Sequence, residues 1–176
     1  MALKDNSPCN QDILQSSKFI LAFPRISTTQ FFCQSANIPE ISTSSTLQNT
    51  MFSDLNIPGD KLQYGTLEIE FLLDEELESW RQVHDWMRGI TFPENFDEYK
   101  NLKHLSKYSE NSLFPQYADA YLTVLSSNGV PTTKCHFIEA FPVSLSGISF
   151  DIRVGSEKTM IASASFKFKR YDIIVA

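Results

Sequence analysis

A mainly β domain flanked by one helix is the fold class this 176-residue sequence predicts, on three observations. About seven segments are rich in aromatic and β-branched residues and read at the two-residue period of a strand. Only residues 74–88 combine helix caps with apolar side chains at three- and four-residue spacing. Short turns separate many of the strand segments, with Asn128-Gly129 the strongest hairpin signal, so the neighbours should be antiparallel. A β-sandwich or small barrel plugged or flanked by the helix fits this content, and at 42% hydrophobic residues the chain can bury one sizeable core.

The first 17 residues are polar and turn-rich and read as an N-terminal arm, leaving 18–176 as the domain. In "KFILAFPRI" Phe19, Leu21 and Phe23 share one face, and "QFFCQSANI" is its expected hairpin partner across "STT". "PEISTSSTLQNTMFSDLNIPGD" then runs for about 20 residues, longer than the roughly 12–15 expected of a structureless loop in a compact domain. Its large apolar residues Leu47, Met51, Phe52 and Leu55 favour a projecting hairpin or loop that packs on a neighbouring subunit; a loop folded onto its own core and a mobile loop are the alternatives.

"YGTLEIEFLL" alternates cleanly. Leu67, Ile69 and Phe71 belong to a core, while Glu68 and Glu70 face water or a polar cavity. Asp74 is placed as an N-cap, with Glu75 and Glu76 at the positive end of the helix dipole and Gly89 placed to terminate the helix. Leu77, Trp80, Val83, Met87 and Ile90 form the stripe that should lie on a sheet, with Glu78 and Arg81 paired beside it. Residues 92–114 show no sustained period and read as a partly ordered loop. "YADAYLTVLS", "TKCHFIEAF", "GISFDIRV" and "KTMIASASFKFKRYDIIV" are the remaining strands, the last with Met160, Ala162, Ala164, Phe166 and Phe168 on one side.

Catalytic and ligand-binding signals are weak. His84, His104 and His136 show no metal-ligand spacing, and the "DEELE" carboxylates are accounted for by the helix terminus. No phosphate loop, nucleophile elbow or dinucleotide turn occurs among the six glycines. Cys9, Cys33 and Cys135 are odd in number and widely spaced, which suits buried or incidental thiols. The expectation is a non-enzymatic protein with no cofactor and no metal. A net charge of -6 disfavours wrapping nucleic acid, although Lys167, Lys169 and Arg170 in "FKFKRY" form a local cationic cluster with a possible edge or inter-subunit role. Neither a signal-peptide core nor an 18-residue apolar window is present, so the expectation is no membrane span and folding in the cytoplasm.

In their order along the chain, "FFCQSANIPE", "NIPGDKLQYGTLEIEFLLDEELESWRQVHDWM" and "EAFPVSLSGISFDI" resemble the tail tube proteins of contractile-tailed bacteriophages of the T4 type, over residues 18–171. The resemblance implies two packed antiparallel sheets forming a β-barrel-like body with one flanking α-helix and a long projecting loop. It also implies six copies in a ring whose sheets continue around a channel, and rings stacked into an inner tube. Sheath, baseplate and tail terminator proteins would be the partners, and double-stranded DNA would pass transiently through the channel of a virion tail assembled in the host cytoplasm. Thr46 to Asp60 would match the inter-ring element, Asp74 to Arg88 the helix, and Gly147 to Val154 with Thr159 to Ile173 the late strands.

The resemblance favours a major tube subunit. A specialised baseplate-proximal tube protein is an alternative, because 42–56 and 92–114 are expanded; so are a type VI secretion-like tube protein and an unrelated β-rich binding module. Leu47, Met51, Phe52 and Leu55 are the inter-ring contact candidates. Glu68 and Glu70 are candidates for a phosphate-repelling lumen, an exterior facing the sheath, or inter-subunit pairing with Lys167 or Lys169.

Overall fold

The computed structural model of the chain describes residues 13–26, 28, 32–91, 93–104, 115–151 and 159–175. Among them the element order is β1 (Phe19–Ala22), β2 (Cys33–Ala36), β3 (Ile41–Asn49), β4 (Asp54–Tyr64), β5 (Leu67–Leu72), α1 (Glu78–Thr91), α2 (Asp97–His104), β6 (Ala118–Leu125), β7 (Pro131–Leu145), β8 (Ile161–Lys167) and β9 (Arg170–Val175).

The body consists of two antiparallel sheets that share the long strand β7. In the first, the order is β1-β6-β7-β9; in the second it is β7-β8-β5-β2. β7 changes sheets at Glu139, whose φ of 55° is unusual for a residue with a Cβ and marks the corner. The buried carboxylate of Asp119 fixes that corner by accepting the Glu139 amide at 3.1 Å, and its other oxygen lies 3.4 Å from His136 Nε2. β8 and β9 follow β7 along one side as a nearly continuous partner, interrupted at Phe168 and Lys169. The sheet path ends at β1, β9 and β2 among the described residues, so it is open and not closed into a barrel.

Alternation explains which face each strand buries. Leu67, Ile69 and Phe71 of β5 and Ala162, Ala164 and Phe166 of β8 point inward, as their sequence period requires, and Leu21, Leu122, Cys135 and Phe137 meet them from the first sheet. Phe23 and Phe166 touch with ring centroids 4.8 Å apart, and α1 closes the core with Val83 and Trp86. Full burial of such side chains supplies about 1.5–3 kcal/mol each, the main favourable term for the fold.

Several expectations need correction. β2 is not the hairpin partner of β1: β1 pairs β6 and β2 pairs β5, because the two strands belong to different sheets. Of the two forms expected for the long apolar-studded segment, hairpin or loop, the structure has the hairpin, with β3 and β4 paired along it. In α1 the deep line is Ser79, Val83, Trp86 and Gly89, while Trp80, Met87 and Ile90 sit half-buried on its flank. Gly89 lies inside the helix instead of ending it. A Cβ there would stand 1.7 Å from Leu102 Cδ1, so the glycine is where α2 crosses closely. Glu78 accepts from Gln82 Nε2 at 3.2 Å, in place of the expected pairing with Arg81. Asp74 does cap the helix, its carboxylate accepting from the amides of Glu78 (3.1 Å) and Ser79 (3.4 Å).

The 92–114 segment contains α2, unforeseen because eight residues give too few turns for a clear period. Residues 147–151 carry no strand; Ile152 to Val154 lie outside the described residues, as do Phe31, Phe92, residues 105–114, Cys9 with the first twelve residues of the arm, and the His104 side chain.

Candidate assembly interface

The β3–β4 hairpin stands apart from the body as a separate two-stranded sheet. Its register brings Leu47 opposite Asn56, Gln48 opposite Leu55, Thr46 opposite Ile57 and Thr43 opposite Leu62. Opposed residues share a face, so Leu47 and Leu62 lie on one side of the ribbon and Leu55 and Ile57 on the other. All four are exposed, and at the tip Met51 and Phe52 are 93% and 94% exposed. A lone two-stranded ribbon is marginal in water, and the apolar groups on both its faces keep about half or more of their surface exposed among the described residues.

Local chemistry nevertheless shapes it. At the tip, the Thr50 amide donates to Ser53 O at 3.2 Å, and the Ser53 amide donates to Thr50 Oγ1 at 3.3 Å. Midway, the register shifts around Gly59, where a Cβ would meet Ser44 Oγ at 2.2 Å and Ser44 O at 2.6 Å. That approach is open only to glycine. The base is anchored by rings: Tyr64 packs on Phe168 and Tyr171 at 5.7 and 5.6 Å, and the Tyr171 hydroxyl donates to Pro39 O at 3.2 Å. Burial pushes the Tyr171 hydroxyl above its ordinary value, consistent with a phenol that stays a donor there.

Leu47, Met51, Phe52 and Leu55 thus lie together on one exposed element. Leu62 and Ile57 extend the two faces of the ribbon, beside Leu47 and Leu55 respectively, and were missed because Pro58 and Gly59 break the strand pattern around them.

Glu68, Glu70 and Lys167 lie on the outer face of the second sheet. There Glu68 is registered with Ser165 and Glu70 with Ser163, and Ser144 Oγ and Ser165 Oγ are 2.6 Å apart. That face thus carries serines and carboxylates together with Lys167 and the exposed Ile161. Lys169 is not part of it: its ammonium sits 3.3 Å from Glu139 at the β7 corner. Arg170 pairs with Asp172 at 3.7 Å.

Beside α1, Trp80, Met87, Ile90, Pro142, Val143 and Leu145 line an open groove of about 380 Å³. Trp80 donates from its indole nitrogen to Ser146 O at 3.0 Å and stacks on His84. Arg25 lies over the Trp86 ring at 4.9 Å, and burial lowers its guanidinium to about 10. Cys33 is pushed up to about 11, chiefly by burial, which leaves its thiol protonated and unreactive at neutral pH. Among the described residues no group of three or more His, Cys, Asp or Glu side chains is placed to hold a metal, and no helix is long and apolar enough to cross a membrane.

A family profile described as "Phage tail tube protein" matches residues 22–174. The tail tube terminator protein of Enterobacteria phage T4 is 23% identical over 166 residues, covering 90% of this chain and 87% of the relative. Among solved structures, the tube-terminating cap of the anti-feeding prophage superposes over 100% of both chains with a TM-score of 0.62 at 17% identity. A chain from the sheath/tube terminator structure of an extracellular contractile injection system (PVC) superposes with a TM-score of 0.60 at 14% identity, over 95% of this chain and 99% of that one.

Proposed function

Because the chain belongs to the phage tail tube protein family, we propose that it is the tube terminator of a contractile tail: a structural subunit that closes into a ring of six on the end of the tube and stops its growth. The expectation of a major tube subunit gives way here. A terminator reading is supported by the T4 relative, which matches over nearly the whole length of both chains, and by the full-length fold likeness to a tube-terminating cap. The observation that carries the assembly role is the bare β3–β4 hairpin, whose exposed Leu47, Met51, Phe52, Leu55, Ile57 and Leu62 need a partner surface. A head-to-tail ring uses two different surfaces on each copy, and a cap needs only one face that fits the tube end. Sheath, tube and baseplate components are the neighbours expected of such a ring in a virion tail, and the serine and carboxylate face bearing Glu68 and Glu70 is its candidate channel wall.

Adding the chain to growing tubes of its cognate tube protein tests this reading. Rods should stop lengthening at one end, with the added chain found there and nowhere else. Incorporation along the rods, or growth of long rods by the chain alone, would instead mark a main tube subunit.

A further inference from the structure

Asn128 is the only asparagine of the sequence that stands before a glycine. An asparagine side-chain amide is open to attack by the main-chain nitrogen of the next residue, which closes a cyclic imide and expels ammonia. A side chain on that next residue crowds the approach, a β-branched one most of all, and glycine leaves it clear. Asn37, Asn49 and Asn56 stand before Ile38, Thr50 and Ile57. Asn37 is also tied through both ends of its amide, Nδ2 donating to Thr66 O at 3.2 Å and Oδ1 accepting from the Glu68 amide at 2.7 Å.

The turn between β6 and β7 leaves Asn128 unencumbered. Residues 127–130 are exposed, nothing lies within 4 Å of the position a Gly129 Cβ would take, and the Asn128 side chain holds no hydrogen bond among the described residues. Only the main chain restrains the reaction. The Gly129 amide donates to Ser126 O at 2.9 Å, the Ser126 amide to Val130 O at 2.8 Å, and the Val130 amide to Ser126 Oγ at 3.2 Å. Gly129 N becomes a nucleophile when its bond to Ser126 opens and hydroxide takes its proton. Exposed loop tips open at little cost, so this restraint slows the attack without preventing it.

We infer that Asn128 is a site of spontaneous modification in the folded protein, converted through a succinimide to aspartyl and isoaspartyl residues. Gly129 N bonds to Asn128 Cγ as the Cγ–Nδ2 bond breaks, and Nδ2 leaves as ammonia with the proton that Gly129 N gave up. Water then opens the ring. Cleavage of the new N–Cγ bond leaves an aspartyl residue in the original main chain; cleavage at the Asn128 carbonyl carbon leaves an isoaspartyl residue, with the main chain rerouted through Cβ and Cγ. The net change is hydrolysis of one amide, with no oxidant, reductant or cofactor. Either product is ionised at neutral pH and adds one negative charge to a chain of net charge -6. The isoaspartyl form also lengthens the main chain between Ser126 and Val130 by one carbon, so the two main-chain bonds that close the turn cannot both keep their geometry. Loosening falls where β6 and β7 begin to pair, at Leu125 opposite Pro131, and not at the Glu139 corner. The reaction needs no second copy, so it holds for a terminator and for a main tube subunit alike.

Ageing the intact chain in mildly alkaline buffer, folded and in denaturant, tests this, with peptide mass spectrometry and isoaspartate-specific methylation as readouts. In the folded chain the asparagine-to-aspartate mass gain and the methyl label should reach Asn128 before any other asparagine and rise with hydroxide concentration. The folded rate should lie within about tenfold of the rate in denaturant, because the turn tip opens cheaply. Asn128→Gln, at an exposed position, should leave the melting temperature unchanged and lose both signals at that site. A folded rate more than about tenfold below the denatured one would show that the bond to Ser126 holds Gly129 out of the reaction, and would overturn the proposal. Faster conversion at another asparagine of the folded chain, or signals that persist in the variant, would overturn it equally.

Discussion

Met51→Ser with Phe52→Ser removes the two most exposed large apolar side chains of the hairpin tip without touching the core. Both are more than nine-tenths exposed in the free chain, so the double variant should fold with a stability change within about 0.5 kcal/mol per site. Against a partner the same side chains are worth about 1.5–3 kcal/mol each when fully buried. Their loss therefore weakens each contact by about 3–6 kcal/mol, or roughly 10²- to 10⁴-fold in its association constant. Thermal melting of the monomer and sedimentation of the assembled form measure the two halves of this prediction. A wild-type melting curve combined with failed assembly is the expected outcome. A drop in melting temperature beyond about 4 °C would place these residues in the fold of the single chain, and assembly of wild-type affinity would remove the tip from the interface.

Within the body, Trp86→Ala should cost about 3–5 kcal/mol in denaturant unfolding as a large-to-small core change, and Trp80→Ala distinctly less, because Trp86 and not Trp80 is the buried indole. Gly89→Ala should cost about 1–3 kcal/mol by forcing α2 away from α1, whereas Gly147→Ala, with nothing within 4 Å, should leave the melting temperature unchanged. At Asp74, burial pushes the carboxyl up, but the amide hydrogen bonds of Glu78 and Ser79 together outweigh it and hold the group below its ordinary value. The stabilisation is therefore present above about pH 4 and lost as pH falls through the lower folded value; Asp74→Ala should destabilise by about 1 kcal/mol at pH 7 and match the parent in strong acid. On the proposal that the Glu68 and Glu70 face is the channel wall, Glu68→Lys with Glu70→Lys should make assembled rings retain duplex DNA in a salt-sensitive way, and unchanged retention across a salt series would contradict that placement.

Much of the body was legible because its strands are half-buried and alternate. Leu67, Ile69 and Phe71 against Glu68 and Glu70 needed only the two-residue period, and Asn128-Gly129 announced its turn, where Gly129 takes a φ of 78°. What escaped depends on long-range partners. The pairing of β1 with β6 is not written in either strand, and β7 reads as a shorter strand because the corner at Glu139 is made by Asp119, 20 residues away. The deep seam of α1 was misplaced since two of its members, Ser79 and Gly89, are small and add nothing to a hydrophobic stripe. In the candidate interface, Met51 and Phe52 stood out as large apolar groups in a polar run. The hairpin register was hidden by the bulge at Gly59, and with it the contributions of Ile57 and Leu62.

Copy number per tail tests the terminator role most directly. Quantitative mass spectrometry of purified tails, with the chain counted against the tube and sheath subunits, should find one ring's worth of copies whatever the tube length, and gold-labelled antibody should mark a single end. A copy number that rises in proportion to tube length, with label along the whole shaft, would contradict it and return the chain to the main tube.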